Sequence, residues 1–159
     1  MSLSEGQQAP DFTLLDDRVE PFSLAAHRGK TLIIFFYPRD DTPGCTLEAQ
    51  GFSAALGAFE AAGAVVVGLS ADTVDSHQRF RDKRELAVRL IADTDHVALE
   101  AFGVWQEKSM YGRKFMGIVR TTVMVGRDGR IARIWPKVRV RGHVEKVLEA
   151  AVELNAAQP

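Results

Sequence analysis

The chain has 159 residues, 46% of them hydrophobic, and a formal net charge of −1, enough apolar material for an ordinary core and too little charge imbalance to argue for nucleic acid or an acidic membrane as partner. Its one cysteine, Cys45, excludes any intrachain disulfide, no apolar run approaches the roughly 20 residues of a spanning helix, and the opening MSLSEGQQAP lacks the basic and apolar regions of a secretory signal. The expectation is a single domain over residues 4–155 in a reducing, cytoplasmic setting, with no internal repeat or linker.

In chain order, Asp11–Leu15 and Val19–Leu24 flank the turn-like Asp16-Asp17-Arg18 and read as a small hairpin. Arg28-Gly29-Lys30-Thr31 mimics the end of a phosphate-binding loop, but the upstream glycine such a loop requires is Leu24, so a turn is the better reading. Thr31 to Tyr37, β-branched and aromatic, reads as a buried strand stopped by Pro38. A polar loop follows, Pro43-Gly44 leads to Cys45, and from Thr46 the chain reads as one long core helix with Phe52, Ala55, Leu56, Phe59 and Ala62 at helical spacing until Gly63.

Ala64–Leu69 is a second buried strand, and Ser70-Ala71-Asp72-Thr73 a capping-rich start to a helix reaching about Leu86. Val88–Ile91 is a short strand, Asp93–Asp95 a capping loop and His96–Phe102 a short helix stopped by Gly103. Thr121–Val125 and Ile131–Trp135 form a hairpin about Gly126-Arg127-Asp128-Gly129-Arg130. A last helix carries Val144, Val147, Leu148, Ala151 and Val152 on one face. The order strand, helix, strand, helix, antiparallel hairpin, helix describes an α/β protein with a mixed sheet and helices on both faces, compatible with a thioredoxin-like fold among others.

Cys45 at a helix start is where chemistry is expected. Backbone N–H groups of a first turn have no intrahelical acceptor and the helix dipole is positive there, so the thiolate, the reactive form of cysteine, is favoured. A lone cysteine is otherwise just a small buried apolar residue. Here the residues P-R-D-D-T-P-G-C from Pro38 to Cys45 resemble the PxxxTxxC active-site signature of the peroxiredoxins, and FFYPRDDTPGCTLEA resembles their bacterioferritin comigratory protein, or peroxiredoxin Q, subfamily. The opening A-P-D-F-T-L and the stretch G-V-W-Q-E-K-S-M-Y-G are also similar to that subfamily. The resemblance spans about Gly6 to Leu154 and selects a thioredoxin-like fold, in its peroxiredoxin variant, with a central mixed sheet flanked by helices.

The resemblance implies a bacterial antioxidant enzyme of redox homeostasis, an oxidoreductase reducing hydrogen peroxide and organic hydroperoxides through a sulfenic acid on Cys45. The residue types suit that chemistry. Thr42, one turn before Cys45, offers a hydroxyl that both donates and accepts, although a turn threonine is its plainer description. Pro38, with fixed φ and no N–H, caps the pocket and limits water as well as ending the strand. Arg120, in I-V-R-T-T-V-M-V, matches the arginine that peroxiredoxins carry before their penultimate core strand, and a permanent cation beside Cys45 would stabilise thiolate and bind peroxide.

Members of this subfamily often have a resolving cysteine five residues after the nucleophile; here that residue is Gln50. A one-cysteine mechanism follows, with the sulfenic acid restored by an external thiol such as glutathione, thioredoxin or glutaredoxin, or by meeting a second subunit. The expected species is a monomer or weak homodimer. Four histidines at positions 27, 77, 96 and 143 lack metal-ligand spacing, and Asp40-Asp41 reads as a solvated loop, so neither metal nor cofactor is expected. The basic run Arg127 to Arg141 reads as solvated strand faces rather than a nucleic-acid site. In the 102–118 segment, Trp105, Tyr111 and Phe115 read as packing side chains of a long connecting loop. Two rivals stay open: a peroxide sensor or scaffold of the same fold with little turnover, and a cysteine hydrolase, which needs a histidine base at Cys45.

Overall fold

The structure, a computed structural model, describes residues 3–158. Strands β1 (Thr13–Leu15) and β2 (Pro21–Ser23) form the small antiparallel hairpin expected near the amino terminus. The centre is β3 (Thr31–Phe36), all six residues buried, the continuous apolar run that a strand covered on both faces requires. Parallel to it runs β4 (Ala64–Ser70), and parallel to that β5 (Arg89–Ala92). On its other side lie the antiparallel β8 (Thr121–Val125) and β9 (Ile131–Trp135), giving a five-stranded mixed sheet in the order β5-β4-β3-β8-β9.

The two faces of β3 feed two cores, as its period of two dictates. Ile33, Phe35 and Tyr37 pack with residues of α1 (Pro43–Ala54), α2 (Leu56–Ala61), α5 (His143–Ala157) and Phe80 of α3 (Val74–Arg84). Leu32, Ile34 and Phe36 pack with Phe12, Phe22 and Leu24 of the amino-terminal segment and with Ala98 and Leu99 of α4 (Val97–Ala101). Gly68 in β4 is forced: a Cβ there would stand 2.7 Å from Cζ of Phe35 and 3.1 Å from Cε1 of Tyr37, well inside van der Waals contact.

Several elements differ from the sequence reading. The helix starts at Pro43 rather than Thr46, because proline at the first helical position gives up an N–H that would be unpaired anyway. It is not one long helix: Ala55 (φ −93°, ψ 2°) breaks it into α1 and α2, and the break lets Phe52 and Phe59 both turn into the core. The 104–118 stretch is not a loop but a separate hairpin, β6 (Trp105–Met110) with β7 (Arg113–Ile118). Its turn, Tyr111-Gly112, has positive φ at both residues, 52° and 75°, as a tight hairpin turn of matching twist requires. Neither face of the hairpin is fully covered, so no apolar alternation announces its strands. Tyr111 is 97% exposed and Phe115 is also in solvent; of the three aromatics expected to pack, Trp105 does so, stacked on His96 with ring centroids 3.9 Å apart.

On α5 the buried face runs through Val144, Val147, Ala150 and Ala151, while Val152 is exposed. Of the basic run, only residues 131–135 are strand; 136–142 form an irregular link. Three of its cations are held locally: Arg127 donates to Asn155 Oδ1, Arg130 donates to the Gly6 carbonyl and Arg133 lies over the Trp135 ring. Among the described residues no helix is long and apolar enough to cross a membrane.

Candidate active site

Three features of the fold converge on the carboxyl end of β3. The strand hands over to the 37–42 loop, α1 begins immediately after it, and the β3–β8 register sets Thr121 opposite Phe36, so Arg120, one step further, stands beside that loop. Cys45 lies in the first turn of α1 and is 1% exposed. Nη2 of Arg120 donates to Cys45 Sγ over 3.4 Å, a charge-assisted contact that favours the anionic sulfur. Gly44 makes room for it, since a Cβ there would be 3.1 Å from the same Nη2. No side chain caps α1, so the Gly44 and Cys45 N–H groups are left as donors at the positive end of the helix.

Thr42 is the N-cap residue, extended at φ −89°, ψ 155°, and its hydroxyl donates to the Arg39 carbonyl at 2.9 Å; its oxygen lone pairs remain able to accept. Pro38 follows β3 and is half-buried. The structure therefore joins Cys45 to Arg120 directly and sets Thr42 and Pro38 on the same connecting loop. Gln50 is exposed on the outer face of α1.

Glu48 was missed by the sequence reading, although its place three residues after Cys45 on one helix face is a legible signal. It is fully buried, accepts from Nη1 of Arg120 at 2.7 Å through Oε1, and its Oε2 has no partner among the described residues. Burial lifts its carboxyl from 4.5 to about 7 against the lowering influence of Arg120. Arg120 points the other way: burial works against its charge, but Glu48 and Cys45 more than offset that and raise its pKa. The two are reconciled if the guanidinium stays charged throughout while Glu48 exchanges its proton near neutrality, and burial, the larger influence on Glu48, sets that direction. Behind the pair, His143 bonds the Thr122 hydroxyl through Nε2 at 2.8 Å, and burial, then Arg120 and Lys146, push it down to about 4.

The loop itself is held from below. Asp40, read as a solvated residue, is buried: Tyr37 donates its hydroxyl to Oδ1 at 2.6 Å, while Ser76 Oγ and His77 Nδ1 meet Oδ2 at 2.8 Å. His77 Nε2 meets the Ile91 carbonyl at 2.9 Å, and the Asp40 N–H donates to Asp72 at 2.8 Å. Asp41 alone behaves as expected, exposed and paired with Lys83 and Arg84. Asp40, Asp72 and His77 bring donor atoms within 4.8 Å of one another, a set that spacing in sequence does not reveal. Both Asp40 oxygens, Asp72 Oδ2 and both His77 ring nitrogens already serve hydrogen bonds, so the cluster is a loop clamp. A histidine base for acyl chemistry does not fit this geometry, because the bonded partner of Sγ is Arg120 while His77 and His143 are committed elsewhere.

The chain resembles known proteins over most of its length. The model of the AhpC/TSA family matches residues 5–134. A Coxiella burnetii protein named putative peroxiredoxin bcp is 46% identical over 148 residues, 93% of this chain and 98% of that one. Peroxiredoxin Bcp of Bacillus subtilis is 37% identical over 155 residues, 98% and 99% of the two chains. Among solved structures, the bacterioferritin comigratory protein of Xanthomonas campestris, studied for alkyl peroxide reduction, superposes with TM-score 0.87 at 40% identity over 91% of this chain and 92% of that one. A cysteine-to-serine variant of PrxQ from Xylella fastidiosa gives TM-score 0.91 at 32% identity, covering 100% and 99%.

Proposed function

The chain belongs to the AhpC/TSA family, in its bacterioferritin comigratory protein or peroxiredoxin Q branch, and is a thiol-dependent peroxidase; from that premise we propose that Cys45 is its peroxidatic nucleophile, served by Arg120, Thr42 and Pro38 in a one-cysteine cycle. The observation that carries the assignment is the Arg120 guanidinium on Cys45 Sγ at 3.4 Å, at the uncapped first turn of α1. The thiolate attacks the terminal oxygen of a hydroperoxide, the O–O bond breaks, and the departing oxygen leaves as water or an alcohol once protonated. Arg120 and the free N–H groups of the first turn face the charge that develops on the oxygens. Thr42 accepts from the peroxide hydrogen, and Pro38 walls the pocket.

Cys45 is then a sulfenic acid with no second cysteine in the chain. An external thiol displaces water to give a mixed disulfide, and a second thiol releases reduced Cys45 and a small disulfide. Because Cys45 is 1% exposed, any thiol larger than peroxide reaches the sulfur only after the first turn of α1 opens locally. The alkyl peroxide activity of the Xanthomonas relative supports organic hydroperoxides beside hydrogen peroxide as substrates. Without a resolving cysteine in the chain the reductant is an external thiol, with glutathione, thioredoxin and glutaredoxin as the candidates, acting on a monomer or weak dimer in a reducing compartment such as the cytoplasm.

The test is stopped-flow oxidation of reduced protein by hydrogen peroxide and an organic hydroperoxide, with the product trapped by a sulfenic-acid reagent. Rapid one-equivalent oxidation that vanishes in Cys45→Ser and slows in Arg120→Ala is expected. Oxidation no faster than that of a free thiol would overturn the assignment, and unchanged kinetics in Arg120→Ala would remove that residue from it.

A further inference from the structure

The separate β6–β7 hairpin grows from the junction that carries Arg120. At its base Trp105 pairs with Ile118 and the Val119 N–H donates to the Val104 carbonyl at 2.9 Å, one residue before Arg120. Lys108 on β6 pairs across the ladder with Phe115, yet its side chain does not stand over that partner. Its Cδ lies 3.1 Å and its Cε 3.7 Å from where a Cβ of residue 117 would be. The chain therefore runs diagonally across Gly117, toward the base of the hairpin and Arg120, instead of out into water. Lys108 is half-buried and makes no ion pair among the described residues, whereas Glu107 beside it is paired to Lys114.

Charge accounting at the sulfur gives this placement a purpose. When Glu48 is ionised, Arg120 and Glu48 together are neutral, and Cys45 must find its compensating positive charge elsewhere. We propose that Lys108 is the second cation of the Cys45 site, a positioning residue whose ammonium, carried inward across Gly117, holds the sulfur in its anionic form alongside Arg120. This rests on Cys45 being the reactive residue. Lys108 feels both neighbours: burial and then Arg120 lower its pKa, and Cys45 works in the opposite direction. Among the described residues, Arg120 from the β7–β8 link and Lys108 from β6 interact with Cys45 directly, while Glu48 from α1 and His143 of α5 are coupled to it through Arg120.

The test titrates Cys45 by its ultraviolet thiolate absorbance and by alkylation with a neutral reagent, neither of which depends on peroxidase activity. Lys108→Met, which keeps the length and removes the charge, moves the thiolate titration up by about half a unit to one unit, the reach of one partly screened charge, and slows alkylation about three- to tenfold below the midpoint. The rates converge at high pH, where the thiol is ionised regardless. Lys108→Arg restores the wild-type titration, and Gly117→Val, which displaces the lysine without touching its charge, reproduces part of the shift. Added salt reduces the difference between Lys108→Met and wild type. A Lys108→Met titration that coincides with wild type overturns the proposal, as does an alkylation loss that persists at high pH. A shifted titration in a protein that peroxide does not oxidise would sink the peroxidase assignment and leave Lys108 standing.

Discussion

Replacing Glu48 with glutamine will tilt the pH dependence of stability, because two buried groups in the native site now balance one another. Glu48 is raised from 4.5 to about 7 and His143 is lowered from 6.5 to about 4, so each departs by about 2.5, or about 3–4 kcal/mol at roughly 1.4 kcal/mol per unit. The raised carboxyl contributes stability that is full below 4.5 and is lost as pH climbs through 7, since the unfolded chain sheds the proton first. The depressed histidine contributes stability that is full above 6.5 and is lost as pH falls through 4, since the unfolded chain takes up a proton the folded one refuses. Between 4.5 and 6.5 the unfolded state therefore binds one more proton at His143 and one fewer at Glu48, and the slopes cancel. Glu48→Gln leaves only the histidine slope: relative to wild type, unfolding free energy declines on acidification by about 1.4 kcal/mol per unit, about 3 kcal/mol over the window. His143→Gln, which keeps a polar partner for Thr122, tilts the other way. Urea unfolding followed by Trp105 and Trp135 fluorescence, with the slope on urea checked for constancy, reads both. A Glu48→Gln line parallel to wild type across the window would mean that Glu48 is an ordinary anion locked to Arg120, and the reasoning would fail.

Three further outcomes follow from the packing and the loop clamp. Gly68→Ala places a Cβ 2.7 Å from Phe35 and will cost about 1–3 kcal/mol by overpacking; a urea midpoint within error of wild type would show that the ring moves freely aside. Asp40→Asn leaves Tyr37, Ser76 and His77 competing for one acceptor, so stability drops by about 1–3 kcal/mol and Cys45 oxidation slows as the Thr42 loop loosens. Wild-type oxidation kinetics in that variant would detach the clamp from the site. Asp93→Ala removes the carboxylate that accepts from the Val97 and Leu99 N–H groups at 2.8 Å each. The expected loss is about 1–2 kcal/mol, seen as faster amide exchange across α4, and unchanged protection would contradict it.

What could be read in the chain follows from interactions that are local. The strands β3 and β4 are continuous apolar runs, and the α3 start is a threonine cap whose hydroxyl does accept from Ser76; both are statements about neighbours a few residues apart. Thr42, Cys45 and Pro38 share one short segment, so their grouping needed only the resemblance. The β6–β7 hairpin stayed hidden because neither face is fully covered, so burial imprints no period on its strands. Asp40 looked like its exposed neighbour Asp41 because composition cannot tell which of two adjacent carboxylates meets Tyr37 and His77.

Legible along the chain are the order of the core strands, the single thiol at a helix start and the lack of a second cysteine to resolve it. The electrostatics around that thiol come from packing between distant segments. Arg120 reaches Cys45 from 75 residues away, joined to Glu48 at 2.7 Å, because the β3–β8 register brings it there, and Lys108 turns inward because residue 117 has no side chain. Charge in a buried site depends on distances and desolvation between segments remote in sequence, and those are set when the sheet closes.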